Sequence, residues 1–424
     1  MNPDPHRIDP AGLITAPAGF RAGALACGLK ASGNLDLALL LADASCPSAA
    51  LFTRNRVAAA PVILGRETLP EGAGRLRAVL INAGNANACT GERGLADARA
   101  MRAGAAALAD CPPEEVLVLS TGVIGVPLDM AKVEAGLAGL PARIGPAGGR
   151  DLALAMMTTD TRPKQAALAL DLPSGARIQL AGAAKGSGMI HPDMATMLAL
   201  VTTDAQLEPT RLAACLRSAA DRSFNRISVD GDTSTNDALA ILASGASGHA
   251  IDPRGAAGAA DLAAFEAGLT ALCQHLARAI VRDGEGASRL AVVRVTGAAS
   301  AAEARQVANA IATSPLVKTA LAGADPNWGR IVAAAGRAGV PIDPARMALD
   351  AASGFVEAGD PGGAWLRLFE AGTPSAFGEA EAAAIFAAPE LTLRLGLGLG
   401  AAEDEVWTCD LTADYVRINA DYRT

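Results

Sequence analysis

Along this chain, short apolar runs alternate with longer stretches in which apolar side chains recur every three or four residues. The short runs read as strands: residues 115–120 (EVLVLS), 176–182 (ARIQLAG), 196–203 (TMLALVTT), 226–230 (RISVD) and 290–297 (LAVVRVTG). The longer stretches read as helices. Residues 261–284 place Leu262, Phe265, Leu269, Leu272, Leu276 and Ile280 on one stripe, and Gly284 suits a C-terminal cap. Residues 301–312 (AAEARQVANAIA) predict a second helix that ends before Pro315, and 127–140 a third with Pro127 in its first turn. Between the strand at 115–120 and that helix, Thr121-Gly122 reads as a turn. Interleaved strands and amphipathic helices predict an α/β fold of layered sheets covered by helices. No repeat, low-complexity linker or charge block marks a domain boundary.

A chain of 424 residues can bury a large core, and with aromatics at only 3% that core must pack through small side chains. The net charge of −8, with no basic run, argues against nucleic-acid binding. The first 14 residues carry prolines and both charge signs but no apolar segment, so they do not read as a secretory signal. No run of 18 apolar residues exists, and "LDLALLLADAS" is interrupted by Asp36 and Asp43, so no membrane span is expected. Seven scattered cysteines without a C-x-x-C pair read as reduced thiols of a cytoplasmic protein.

Several chemistries lack their residues. There is no Gly-Lys dipeptide for a phosphate loop, no G-x-G-x-x-G after a strand and no G-x-S-x-G elbow. His6, His191, His249 and His275 are far apart, and no metal site is expected. "DGDTSTND" (230–237) superficially resembles a calcium loop, but Ile241 stands where a bidentate Glu is required. It reads instead as a turn in which Asp230, Asp232 and Asn236 cap local backbone. What remains is a nucleophile that carries its own base. Thr196 has two readings: the first residue of a buried strand, or a new N-terminus made by scission after Ala195.

The stretch "KGSGMIHPDMATMLALVTTDA" (185–205) resembles the self-cleavage segment of the ornithine acetyltransferases of arginine biosynthesis. "LITAPAGFRAGALACGLK", "DLALLLADASCPSAALFTRNRVAAAPV", "INAGNANACTG", "LSTGVIGVPL", "MTTDTRPK", "SFNRISVDGDTSTND", "RDGEGASR", "ADPNWGRI" and "INADYRT" match that family's pattern in order. The likeness covers essentially the whole chain and is least clear around 355–400. It implies an α/β fold of stacked sheets flanked by helices, related to self-processing aminopeptidases. It also implies scission between Ala195 and Thr196 into chains 1–195 and 196–424, which stay associated as an α2β2 heterotetramer.

The activity implied is transfer of acetyl from N2-acetylornithine to glutamate, with no cofactor and with acetyl-CoA left open as an alternative donor. The resemblance assigns Thr121 and Gly122 to the oxyanion hole. It assigns Thr159, Lys185, Thr196, Glu285, Asn419 and Thr424 to substrate binding, with Thr158 and Thr161 competing for the place of Thr159.

The chemistry suits these residue types. The Thr196 hydroxyl attacks the Ala195 carbonyl, the acyl group shifts from nitrogen to oxygen, and water removes it. A β-branched side chain has few χ1 options, which helps to hold that hydroxyl. The freed α-amine titrates near 7.7–8.0 as a reference value, so it can accept the hydroxyl proton at neutral pH. This is nucleophile activation by the residue's own terminal amine. Lys185, in a glycine-flanked loop, offers a cation to the substrate α-carboxylate, and read alone is a surface charge. Glu285 offers a partner to the ornithine δ-amine, and read alone is a loop charge. Asn419 and Thr424 belong to a polar-aromatic tail, "RINADYRT", unusual for a frayed end. Two other functions remain: an amidase or aminopeptidase of the same fold with water as acceptor, and an uncut, non-enzymatic protein.

Overall fold

The computed structural model describes residues 7–191, 197–356 and 364–421. Two compact units are present: the first is built from the chain up to Asn225 and Thr233–Ile280, the second from Arg226–Asp232 and the chain from Val281 on.

In the first unit nine strands form one hydrogen-bonded sheet. They are β1 (Ile8–Asp9), β2 (Phe20–Leu25), β3 (Leu37–Phe52), β4 (Ala73–Asn85), β5 (Val116–Val123), β6 (Lys164–Asp171), β7 (Arg177–Lys185), β8 (Leu198–Thr203) and, after β9 (Ile227–Ser228) of the second unit, β10 (Ala238–Ala243). The order is β1-β6-β7-β8-β10-β3-β4-β5, with β2 also on β3.

The long strand β3 joins two layers. Residues 37–42 pair with β2 and β4, the register shifts between Leu41 and Cys46, and residues 48–52 pair with β10. Four strands lie between β5 and β7, which in a flat sheet would separate them by roughly 24 Å. Yet Lys185 on β7 touches Thr121 on β5 at 3.2 Å, so the sheet folds back on itself. Between the layers, Ala38, Leu40 and Ala42 of β3 share one core with Ala183, Leu198, Leu200, Ala238 and Ala240. The opposite face of β3, at Leu37, Leu39 and Leu41, packs with Met101 and Ala105 of helix Gly91–Ala109 and Val133 of helix Met130–Gly139. Alternating faces buried on both sides explain the near-continuous apolar run of this strand. The expected stacked, helix-flanked layers are therefore present, and close packing through small residues is evident. A Cβ on Gly182 of β7 would come within 2.7 Å of Leu276 in helix Ala256–Arg282.

That helix is long and apolar enough to cross a membrane by length and composition. Its stripe is instead buried in protein, with Phe265, Leu269, Leu272, Leu276 and Ile280 fully inaccessible. It ends at Arg282, and Gly286 (φ +68°) rather than Gly284 takes the left-handed conformation beyond it. The helix predicted at 127–140 starts at Met130 because the Asp129 side chain caps it, accepting from the Lys132 amide, so Pro127 lies outside. The helix predicted at 301–312 is observed as Ala301–Ala312.

The second unit holds a seven-stranded sheet that adds β11 (Leu290–Ala298), β12 (Ala348–Ser353), β13 (Leu366–Glu370), β14 (Thr373–Pro374), β15 (Glu390–Gly396) and β16 (Ala402–Cys409) to β9. Its order is β14-β13-β12-β15-β11-β16-β9. Val293, Val295, Leu393 and Leu395 pack under Val307 and Ile311 of helix Ala301–Ala312 and Phe386 of helix Glu379–Ala387. The other face carries ion pairs, including Arg294–Glu405 and Arg394–Asp350.

Candidate active site

Strand β8 begins at Leu198, paired with Lys185 on antiparallel β7 and with Ala238 on parallel β10. Ala195 and Thr196, the predicted cleavage pair, and Thr424, a predicted binding residue, lie outside the described residues. Met197, the next residue in the chain, is buried, and its carbonyl accepts from the Ala238 amide at 3.0 Å.

Lys185 departs from the expected loop: it is the last residue of β7 and only 9% exposed. Its Nζ donates to Thr121 Oγ1 at 3.2 Å. An ammonium donating into one lone pair leaves the threonine its own proton to donate elsewhere.

Thr121-Gly122 is not a turn. Strand β5 runs on to Val123 because β4 continues beside it, with Ala83 opposite Thr121 and Gly84 opposite Gly122. Gly122 adopts φ +131°, and a Cβ there would sit 2.3 Å from the Gly84 carbonyl carbon, so only glycine fits without a backbone shift. The strand ends are fastened by amides. Ser120 Oγ donates to Asn82 Oδ1 (2.5 Å), Asn82 Nδ2 to the Asn85 carbonyl (2.9 Å) and Asn85 Nδ2 to the Val126 carbonyl (3.0 Å). Asn236 Nδ2 donates to the Ala86 (2.6 Å) and Ser120 (2.9 Å) carbonyls.

Asn236 therefore does not cap its own turn as expected. It reaches across to the segment that carries Thr121. Only Asp230 behaves as predicted there, accepting from the Asp232 amide at 3.2 Å.

Below Lys185 lies a buried carboxylate. Asp160 Oδ1 accepts from Lys164 Nζ (2.5 Å) and the Gly186 amide (2.8 Å), and its Oδ2 from the Thr158 amide (2.9 Å). Burial would raise its pKa, but the Lys164 and Lys185 ammonium groups and these hydrogen bonds outweigh it and hold the carboxyl at about 2. Burial also lowers Lys30 to about 8, against the opposing pull of Asp36 and Asp160. Thr159 Oγ1 and Ser187 Oγ share a 2.6 Å hydrogen bond, while Thr158 uses its backbone amide on Asp160.

In the second unit Glu285 is buried, contrary to a bare loop charge, and its Oε2 accepts from Asn419 Nδ2 at 2.7 Å. Tyr415 OH donates to Asp230 Oδ2 at 3.3 Å. Burial, with the Asp230 and Glu285 charges adding to it, raises the tyrosine above its ordinary value. A Cβ on Gly286 would meet the Tyr415 amide nitrogen at 2.6 Å, so the C-terminal helix Ala413–Asp421 lies directly on this loop.

Within the first unit, the predicted residues Lys185 and Thr121 are in contact; within the second, Glu285 and Asn419 are. Sequence reasoning missed Asp160, Asn82, Asn85, Ser187 and the true role of Asn236. The available signal was a run of polar residues, "NAGNAN", closing an otherwise apolar strand.

A model described as the ArgJ family matches residues 21–424. The arginine biosynthesis bifunctional protein ArgJ of Symbiobacterium thermophilum is 48% identical over 416 residues, covering 98% of this chain and 99% of that protein. Its namesake in Parasynechococcus marenigrum is 47% identical over 416 residues, covering 97% and 96%. Among solved structures, the ornithine acetyltransferase of Mycobacterium tuberculosis, complexed with ornithine, shares 46% identity at a TM-score of 0.41, over 45% of this chain and 100% of that one. The ArgJ protein of Bacillus halodurans shares 39% identity at a TM-score of 0.46, over 52% and 97%.

Proposed function

This chain belongs to the ArgJ family and is an acyltransferase of arginine biosynthesis; on that premise we propose that it moves acetyl from N2-acetylornithine to glutamate through an ester on Thr196. The observation that supports this most is the Lys185–Thr121 contact at the edge of β8, two residues beyond Thr196 in the chain. A cation and a hydroxyl donor side by side suit a developing oxyanion, and one such donor contributes roughly 3–4 kcal/mol to the transition state.

The cycle follows from chemistry the chain carries itself. The precursor cuts between Ala195 and Thr196, giving chains 1–195 and 196–424 that remain together as an α2β2 assembly in the cytoplasm. The Thr196 amine takes the hydroxyl proton, and the oxygen attacks the acetyl carbonyl. Thr121 and the Gly122 amide stabilise the tetrahedral oxyanion, and ornithine leaves as an amine. Glutamate then removes acetyl from the ester. An amide is exchanged for a similar amide, so no cofactor is required.

For the substrate, Lys185 offers its cation to the α-carboxylate and Glu285 pairs with the δ-ammonium of ornithine, with Thr159, Asn419 and Thr424 as further binding residues. Glu285 must turn away or accept a proton when the acceptor brings its own carboxylate.

Labelled ornithine supplied with N2-acetylornithine, and no glutamate, tests the ester directly. Exchange of label into N2-acetylornithine is expected. Exchange that requires glutamate contradicts the two-step path, and steady release of free acetate without glutamate identifies water as the acceptor instead. Acetylglutamate formation from acetyl-CoA as sole donor tests the second activity.

A further inference from the structure

The pairing that fixes β7 runs out at Lys185. On the β6 side its last pair is Ala184 with Lys164, and on the β8 side Lys185 with Leu198. The next amide, Gly186, donates to a side chain instead, Asp160 Oδ1 at 2.8 Å. Residues 158–160 likewise lie outside the sheet, ahead of β6, and there the Thr158 amide donates to Asp160 Oδ2 at 2.9 Å. One carboxylate thus joins two chain segments where the sheet no longer does, the first leaving Lys185 and the second holding Thr159. A second link runs beside it, the 2.6 Å hydrogen bond between Thr159 Oγ1 and the buried Ser187 Oγ.

Three donors share the two oxygens, since Lys164 Nζ also donates to Oδ1 at 2.5 Å. An asparagine cannot serve all three, because its nitrogen would set a donor against a donor. The charges matter as well. A lone carboxylate this close to Lys185 would compete with a substrate carboxylate for the ammonium. Lys164, buried together with Asp160, neutralises it, so the pair carries no net charge to set against an arriving anion. The link between Ser187 and Thr159 holds the threonine hydroxyl in one direction, and a group already held loses less entropy when a ligand binds.

Resting on the reading of Lys185 and Thr159 as substrate-binding residues, we propose that Asp160 is a positioning residue for ligand binding. Through the Gly186 and Thr158 amides it holds the Lys185 ammonium in place for the α-carboxylate of ornithine, while Ser187 holds the Thr159 hydroxyl. The Asp160 side chain is fully inaccessible, so it acts on the ligand through Lys185. Lys164 supplies the countercharge that keeps Asp160 from claiming Lys185 for itself. Recognition of an amino acid, as against a simple diamine, then depends on a carboxylate that the ligand never touches.

Calorimetric titration of the purified enzyme with ornithine and with 1,4-diaminobutane, the same diamine without the carboxylate, tests this. The variants are Asp160→Asn/Lys164→Met, which removes both charges together, Ser187→Ala and Lys185→Met. The double variant is expected to bind ornithine at least tenfold more weakly and diaminobutane within threefold of wild type. Ser187→Ala, which removes one oxygen and no charge, should bind ornithine at least threefold more weakly. Three results overturn the proposal: unchanged ornithine affinity in the double variant, equal weakening of both ligands there, or wild-type ornithine affinity in Ser187→Ala. If the double variant does not fold, Ser187→Ala alone decides. A wild type that binds both ligands alike, or a Lys185→Met protein that keeps the preference for ornithine, defeats the reading of Lys185 itself, and the proposal falls with it.

Discussion

Replacing Asp160 by asparagine removes one negative charge from between the Lys164 and Lys185 ammonium groups. The side chains of Asp160 and Lys164 are 0% and 1% exposed, so the ammonium loses its carboxylate partner in the protein interior. Two estimates bound the loss. The Asp160 carboxyl sits at about 2 against a reference of 3.8, which makes the contribution of its charged form on the order of 2–3 kcal/mol. That figure omits the cost to Lys164 of losing its carboxylate, and breaking a buried pair typically costs about 3–5 kcal/mol. The larger figure governs the mutant, and at about 1–2 °C per kcal/mol for a chain of this size it lowers Tm by roughly 5 °C near neutral pH.

The same reasoning fixes a pH dependence. A depressed folded-state pKa gives stability that is complete above the unfolded value of 3.8 and is lost as pH falls through about 2. Wild-type Tm therefore declines between pH 4 and 2, and Asp160→Asn lacks this part of the decline. Scanning calorimetry over that range reads both. Adding Lys164→Met should restore most of the lost stability, because an apolar chain of similar length does not need the carboxylate. An Asp160→Asn protein within about 1 °C of wild type, or a double mutant less stable than Asp160→Asn, refutes the electrostatic account.

Thr121→Val keeps the shape of β5 but removes a donor and the acceptor of Lys185; transfer should fall roughly 10²–10³-fold in kcat with Tm nearly unchanged. Activity within threefold of wild type removes Thr121 from the oxyanion site. Asn236→Leu leaves the Ala86 and Ser120 carbonyls without their donor, at about 1–3 kcal/mol each, so both Tm and kcat should drop; a melt identical to wild type shows that the clamp is dispensable. Glu285→Gln should weaken N2-acetylornithine binding by tenfold or more and tighten N-acetylglutamate. Calorimetric titration reads both, and an unchanged N-acetylglutamate affinity argues against any need for Glu285 to move or protonate.

Much of the architecture was legible because periodicity reports burial. The stripe from Leu262 to Ile280 and the helix at 301–312 were visible, since a helix spends its apolar face on a sheet and keeps the rest wet. Boundaries were less legible. Asp129 displaced Pro127 at a helix start through a side-chain hydrogen bond, and Thr121-Gly122 stayed in a strand because its neighbour β4 extended equally far. Neither cause is local to the segment.

The same distinction applies to the site. Lys185, Thr121, Glu285 and Asn419 were reachable through motif resemblance, and their contacts are those of paired residues. Asp160 was not, because its importance lies in Lys164 and Lys185 converging on it from β6 and β7. Asn236 was misread as a local cap for a similar reason. Its acceptors, at Ala86 and Ser120, are far away in sequence and meet it only after the sheet folds back.

The intact mass of purified, transfer-competent protein under denaturing conditions tests the role of Thr196 most directly. At roughly 100 Da per residue of the 42.5 kDa chain, two species of about 20 and 23 kDa are predicted, the larger beginning at Thr196. A single 42.5 kDa species carrying full acetyl-transfer activity would contradict it.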